Sequence, residues 1–309
     1  MTKKTTTTTK KTSVSPLVKE EVKDGNELEQ QNSSLVMENE ELRMLNKRLE
    51  QALSASTEKI PYLVVIPYKE SAAQGKELLL AVKGWIKHFQ EDFKILIIGN
   101  VSDQSVFSNL ENKRCKELMF LDFDSETDDP QLDVTRKFLR VIERFPEYDG
   151  FIVTNDDIYP VNDFDIVDVK QLKCDGLLSE QKKCGGIYAS KRNETYTILR
   201  DKNLPVFDYA CHLPVYFDSE RLLEVVECFD CKNKGLLLSS LYFNFVYPNR
   251  IPLRLDMGYD NLKVSVARQN ANLVKLKELI PQKIWVNNSP VGWSLELESI
   301  IEKRLCGKK

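Results

Sequence analysis

Tyr62-Leu63-Val64-Val65-Ile66, closed by Pro67-Tyr68-Lys69-Glu70, is an unbroken β-type run that stops on polar residues. A strand that is apolar at every position, rather than at every second one, is buried on both faces, as the strands of parallel sheets are. The residues that follow keep an alternating strand and helix rhythm. A helix is predicted near Gly75 to Phe89, with Leu78, Val82, Trp85, Ile86 and Phe89 on one face at helical spacing. Phe93 to Ile98 reads as the second strand and Leu118 to Phe123 as the third. A helix from about Leu132 to Phe145 turns Thr135, Phe138, Leu139, Ile142 and Phe145 inward, and Gly150 to Thr154 reads as the fourth strand. This order implies an α/β domain whose mostly parallel, Rossmann-like sheet is covered by helices.

Upstream of Pro61 the pattern is different. Residues 1–25 are rich in Thr, Lys and Ser, and such a segment cannot offset its own ordering entropy, so a disordered tail is expected. Residues 26–58 carry Leu28, Leu35, Leu42 and Leu49 at seven-residue spacing, with Asn32, Asn39 and Asn46 at the alternate core positions. Leucine at d with asparagine at a suits a parallel coiled coil of fixed register. A homodimer through this helix is the expectation, with a single spacer helix as the alternative. The remaining span, 59–309, is read as the catalytic domain.

Bulk properties narrow the class. The 309 residues carry a formal net charge of -3, which argues against a general nucleic-acid binder. No run of about 18 apolar residues exists to span a membrane. Met1-Thr2-Lys3-Lys4 lacks the apolar core of a secretory signal. The 7 cysteines, an odd number in a long chain, read as reduced thiols, and a cytoplasmic location is expected. Cys228 and Cys231 have Cys-x-x-Cys spacing, but Cys174 and Cys184 are too widely spaced for an ordinary zinc pair.

In parallel sheets ligands bind beyond the carboxyl ends of the strands. Three loops should therefore share one crevice: Pro67-Tyr68-Lys69-Glu70, Gly99-Asn100 and Asn155-Asp156-Asp157. The last follows Phe151-Ile152-Val153-Thr154, so two adjacent carboxylates and an amide end a buried strand. Hard cations such as Mn²⁺ or Mg²⁺ take carboxylate ligands and share phosphate oxygens with a substrate. The alternative is an ordinary Asn/Asp turn.

Val64-Val65-Ile66-Pro67-Tyr68-Lys69 resembles the nucleotide-binding opening of GT-A glycosyltransferases, and Asn155-Asp156-Asp157 stands where those enzymes carry an Asp-x-Asp metal motif. Tyr209-Ala210-Cys211-His212-Leu213-Pro214-Val215-Tyr216, followed by Tyr242-Phe243-Asn244, resembles the His-x-Pro and Tyr-x-Asn signatures of capsule-type, Stealth-like sugar and sugar-phosphate transferases. The likeness runs from about Pro61 to Tyr247 as scattered short motifs. It implies a GT-A fold and a nucleotide-sugar donor held by Pro67, Tyr68, Lys69, Asn100, Arg136, Lys137 and Asn155. It also implies Mn²⁺ or Mg²⁺ on Asp157, with His212 completing the shell and Asp156 orienting sugar or metal. A core or turn histidine is the other reading of His212. His88 is expected at the surface, as a structural residue. Asp208, close in sequence to His212, is preferred over Asp260 as the general base, and Lys263 is a further phosphate candidate. The C-terminal residues, with an amphipathic helix near Ser294 to Leu305, are expected to wrap the domain and bury Trp285 and Trp293.

The reaction expected is transfer of a hexose to a hydroxyl of a glycan, lipid-linked or protein acceptor. Sugar-phosphate transfer is one alternative. A catalytically inert GT-A-shaped binding module is the other, kept open by Asn155 at the first motif position.

Overall fold

The computed structural model describes residues 60–110, 112–180, 186–256, 259–264 and 270–306. The expected tail and coiled-coil helix lie outside the described residues, as does Cys184.

Strand β1 (Tyr62–Pro67) is the centre of a five-stranded sheet. It pairs in parallel with β2 (Phe93–Ile98) on one side and β4 (Gly150–Val153) on the other. Beyond β2 lies β3 (Cys115–Leu121), also parallel, and beyond β4 lies β7 (Val215–Asp218), antiparallel. The order is β3-β2-β1-β4-β7. The unbroken apolar reading of β1 has its cause in two cores. Leu63 and Val65 face one core with Phe138, Phe151, Phe217 and Leu241, while Val64 and Ile66 face another with Trp85, Phe89, Phe93 and Trp285. All four β1 side chains are fully buried.

Helix α1 (Glu77–His88) covers the second core, with Trp85 packed edge-on against Phe89 and Phe164 at 5.2 and 5.0 Å. His88, expected at the surface, is 3 % exposed, because the α1 face that carries Trp85 also turns His88 inward, against Asp163 at 2.8 Å. Helix α2 (Pro130–Arg144) covers the first core. Its start is fixed by Pro130 in the first turn and by Asp129, whose carboxylate accepts from the Gln131 and Leu132 amides. Val141 is inward on this helix, whereas Leu139 and Ile142 are only half-buried, a small rotation from the expected face. The same side is closed by α5 (Ser219–Cys228) and α6 (Leu238–Val246).

A second, three-stranded sheet was not anticipated. It sets β10 (Trp285–Asn288) between β5 (Ile158–Pro160), antiparallel, and β9 (Asn261–Val264), parallel. The C-terminal helix α8 (Leu295–Cys306) lies against α1, with Leu297, Ile301 and Leu80 in a third core. Trp285 is buried as expected, but Trp293 is only half-buried. A short α3 (Ile166–Lys170), the longer α4 (Gly186–Asp201), α7 (Asn270–Leu279) and the parallel pair β6 (Lys173–Cys174) and β8 (Leu253–Arg254) complete the strands and α-helices among the described residues. No helix among the described residues is long and apolar enough to cross a membrane.

Candidate functional site

The sheet order makes a switch point. The chain steps from β1 outward to β2 and β3, then returns across β1 to β4. The loops after β1 and β4 therefore diverge and leave a crevice at the carboxyl ends of the strands. A cavity of about 520 Å³ occupies it, lined by Pro67, Tyr68, Lys69, Lys137, Asn155, Asp156 and Asp157, among others. Of the residues expected to hold a donor or metal, these seven share one wall-to-wall space. Asn100 lines an adjoining cavity of about 440 Å³, which shares Tyr68, Lys69 and Lys137 with the first. Gly99 lets the two loops touch. Its φ of 139° favours glycine, and a Cβ there would meet the Tyr68 carbonyl oxygen at 1.9 Å.

The crevice is acidic. Glu77, Asp128, Asp133, Asp156 and Asp157 line it against Lys69 and Lys137. Both lysines are already engaged. Lys137 is 2 % exposed and donates to the Tyr68 carbonyl at 2.7 Å and to Asp133 at 2.8 Å. Lys69 reaches the Thr127 carbonyl at 3.3 Å and Asp128 at 3.7 Å. Asp156 and Asp157 are half-buried, enclosed by protein and open to the crevice. Burial, then the neighbouring Asp157 and Glu77 charges, pushes the Asp156 carboxyl up to about 7. Burial and Glu77 push Asp157 up to about 6, against the opposing charge of Lys263. Oδ1 of Asp157 is buried with no hydrogen-bond partner among the described residues.

These features fit a cation held by Asp157, with Asp156 beside it. An orphaned carboxylate oxygen, and acids raised by burial and by neighbouring carboxylates, are both relieved by positive charge. No group of three or more His, Cys, Asp or Glu side chains among the described residues converges on one point, so ligand oxygens and water would have to supply the rest of the shell.

No family model matches this chain, and no curated protein is significantly similar to it.

The other expected residues sort by geometry. His212 stands at the same end of the sheet and lines a side cavity of about 160 Å³ that shares Asn155 with the crevice. Its Nε2 lies 2.8 Å from the Lys263 ammonium. Arg136 donates to the Ser125 carbonyl at 2.7 Å and does not line the crevice. One residue along a helix is a turn of about 100°, which sends Lys137 inward and Arg136 aside. Asp208 is 1 % exposed and paired with Arg192 at 3.3 Å, and it also accepts from the Ala210 amide at 3.1 Å. It is a structural ion pair away from the crevice, and closeness in sequence to His212 did not bring it there. Asp260 is likewise buried, on Lys173.

Glu77 was missed. It begins α1, is 4 % exposed, and accepts from the Gln74 amide and from Asn288 Nδ2, each at 2.6 Å. Asn288 in turn accepts from the Tyr159 hydroxyl at 2.5 Å. The available signal was a charge in phase with Ala81, Gly84 and His88 on a buried helix face.

Proposed function

We propose that the crevice binds a nucleotide-sugar together with Mn²⁺ or Mg²⁺ and transfers the hexose to an acceptor hydroxyl, in the manner of GT-A glycosyltransferases. The observation that carries this reading is the acid pair Asp156-Asp157 at the end of β4, opposite the Tyr68-Lys69 loop of β1, at the switch point of a parallel sheet. Asp157 holds the cation, whose charge would stabilise the leaving diphosphate. Asn155 supplies an amide to the same ligand. Lys69 and Tyr68 form the wall over which the nucleotide lies. Asp156, whose carboxyl is raised close to neutral, accepts the acceptor's hydroxyl proton, a task that favours a group near the working pH. In this reading the enzyme works in the cytoplasm, and the heptad leucines of residues 26–58 support a parallel coiled-coil dimer.

The test is a screen of nucleotide-sugars by thermal shift with and without Mn²⁺, followed by analysis of slow donor hydrolysis. A Mn²⁺-dependent shift with release of the nucleoside diphosphate is expected. Release of the nucleoside monophosphate instead means sugar-phosphate transfer. Absence of any shift or hydrolysis across the donors means an inert binding module and refutes the proposal.

A further inference from the structure

A cavity of about 280 Å³ runs along β7, the antiparallel edge strand, and shares no lining residue with the crevice. Part of its wall is apolar, from Leu213, Pro214, Val215 and Phe243. The Ser219 amide bonds back to the Asp149 carbonyl at 2.8 Å, one step beyond the Gly150–Asp218 pair. Bonded pairs alternate along an antiparallel ladder, so Phe217 and Val215 turn their peptide groups to β4, and Asp218 and Tyr216 turn theirs to the open edge. The Asp218 amide donates to the Tyr242 hydroxyl at 2.9 Å, which leaves Tyr216 as the step of the strand that offers its backbone to the cavity.

Two cations line the same space. Lys170, the last residue of α3, holds its ammonium 4.1 Å from the centre of the Tyr216 ring. Arg250 holds its guanidinium 5.3 Å from the centre of the Tyr247 ring. A ring face attracts a cation and fixes its place, but leaves its N–H groups able to donate. Among the described residues neither cation has a carboxylate partner. Two carboxylates also line the cavity, and both are engaged: Asp168 accepts from the Asp165 amide at 3.0 Å, and Asp218 from the Arg221 amide at 2.9 Å. The third cation, Lys173, is already on Asp260.

The buried wall carries the other half of the pattern. Tyr209 is 4 % exposed and lines both this cavity and the side cavity at His212. Its hydroxyl is buried with no hydrogen-bond partner among the described residues. An unpaired buried hydroxyl destabilises the fold that holds it, and a polar ligand atom in the cavity relieves that cost.

We infer that this cavity is a second ligand site, for a hexose-sized ring that carries one anionic group, a phosphate or a carboxylate. The anionic group lies between Lys170 and Arg250, both exposed at the mouth. A ring hydroxyl meets Tyr209, and the ring's C–H face lies on the apolar wall. Small-molecule sites usually span about 300–1,000 Å³, so a space just under that range suits a single ring and excludes a whole nucleotide. The site is built from residues outside the crevice, so it stands whether or not the crevice takes a nucleotide-sugar.

The experiment is calorimetric titration of the full chain, in EDTA, with glucose-6-phosphate, glucuronate, inorganic phosphate and glucose. The wild type is compared with Lys170→Met, Arg250→Met and Tyr209→Phe, each with its melting temperature measured. Lys170→Gln or Arg250→Gln replaces a Met variant that melts early. At least one anionic sugar is expected to bind, and the tighter of the two identifies the anionic group. Glucose and inorganic phosphate should each bind more weakly by about tenfold or more, since each lacks one half of the recognition. Lys170→Met and Arg250→Met should each weaken the anionic sugar about tenfold, the worth of one charge-assisted bond. Tyr209→Phe should weaken it about two- to tenfold, the worth of a neutral hydrogen bond. It should melt no earlier than the wild type, because the hydroxyl it removes has no partner in the empty protein. Binding of neither anionic sugar, equal binding of glucose or of inorganic phosphate, or binding that neither cation variant weakens overturns the inference. So does a Tyr209→Phe protein that melts early and binds unchanged, the behaviour of a structural hydroxyl.

Discussion

Asp157→Asn removes a charge from the crevice while keeping the side chain's size, and it should make the ligand-free protein more stable. Burial, followed by Glu77, lifts this carboxyl from its ordinary 3.8 to about 6. At neutral pH that rise corresponds to about 3 kcal/mol charged against the folded state. The group opens to the crevice, and solvent screening there reduces the figure to about 1–2 kcal/mol. The amide has no charge to bury and should recover that amount. The gain has a pH signature. Below the unfolded value of 3.8 the carboxyl is protonated in both states and the penalty vanishes. Between 3.8 and about 6 the unfolded chain releases a proton that the folded chain keeps, so wild-type stability falls as pH rises. Above that window the penalty is complete. Urea unfolding should therefore show the variant ahead at about pH 8 and level with the wild type at about pH 3.5. Adding Mn²⁺ should reverse the ranking at the higher pH, since a ligand of the folded state stabilises only the protein that binds it. A variant less stable than the wild type at about pH 8, or one whose gain is the same at both pH values, refutes the reasoning.

Trp85→Ala should cost about 3–5 kcal/mol in urea unfolding, because a fully buried indole leaves a cavity between Phe89, Phe93 and Phe164. Asp208→Asn should cost about 3–5 kcal/mol by leaving the Arg192 guanidinium buried without its counter-charge. The folded fraction should keep wild-type donor affinity and turnover, and a selective loss of turnover would return Asp208 to the role of base. Gly99→Ala should lower the melting temperature and weaken donor binding together, since the new methyl displaces the Tyr68 backbone from the crevice wall. Unchanged melting and binding would show that the two loops do not bear on each other.

Sequence alone was enough for what is local and periodic. β1, β2 and β4 announce themselves because both of their faces are buried, and α2 is legible from about Leu132, two residues inside its start at Pro130. β3 was placed three residues late. It is an edge strand whose first residues include the exposed Lys116 and Glu117, so its polar start does not look like a strand. The second sheet was invisible because β5, β9 and β10 are three or four residues long and gain their identity only by pairing, β5 with β10 across more than a hundred residues. The site divides the same way. Asp156, Asp157, Tyr68 and Lys69 follow from the rule that ligands bind at strand ends. The pairing of Lys263 with His212, and the approach of Glu77 to the acid pair, are products of the tertiary fold. Arg136 and Lys137 differ by a helical phase that a boundary error of one residue is enough to invert.

The hydrogen bond from Asn288 to Glu77 joins positions 211 apart in the chain. During synthesis all five strands of the large sheet are present once β7 has left the ribosome, but the acid at the head of α1 has only the Gln74 amide, and not the Asn288 side chain, until β10 is made. Tyr159, one strand beyond Asp157, waits for the same asparagine. There is therefore an interval in which all five strands of the large sheet exist while the candidate site lacks Asn288. At synthesis rates of about 5–20 residues per second, the seventy residues from β7 to β10 open that interval for several seconds. A stalled or truncated product ending before Trp285 would lack both Asn288 and the indole that fills the core behind Val64 and Ile66.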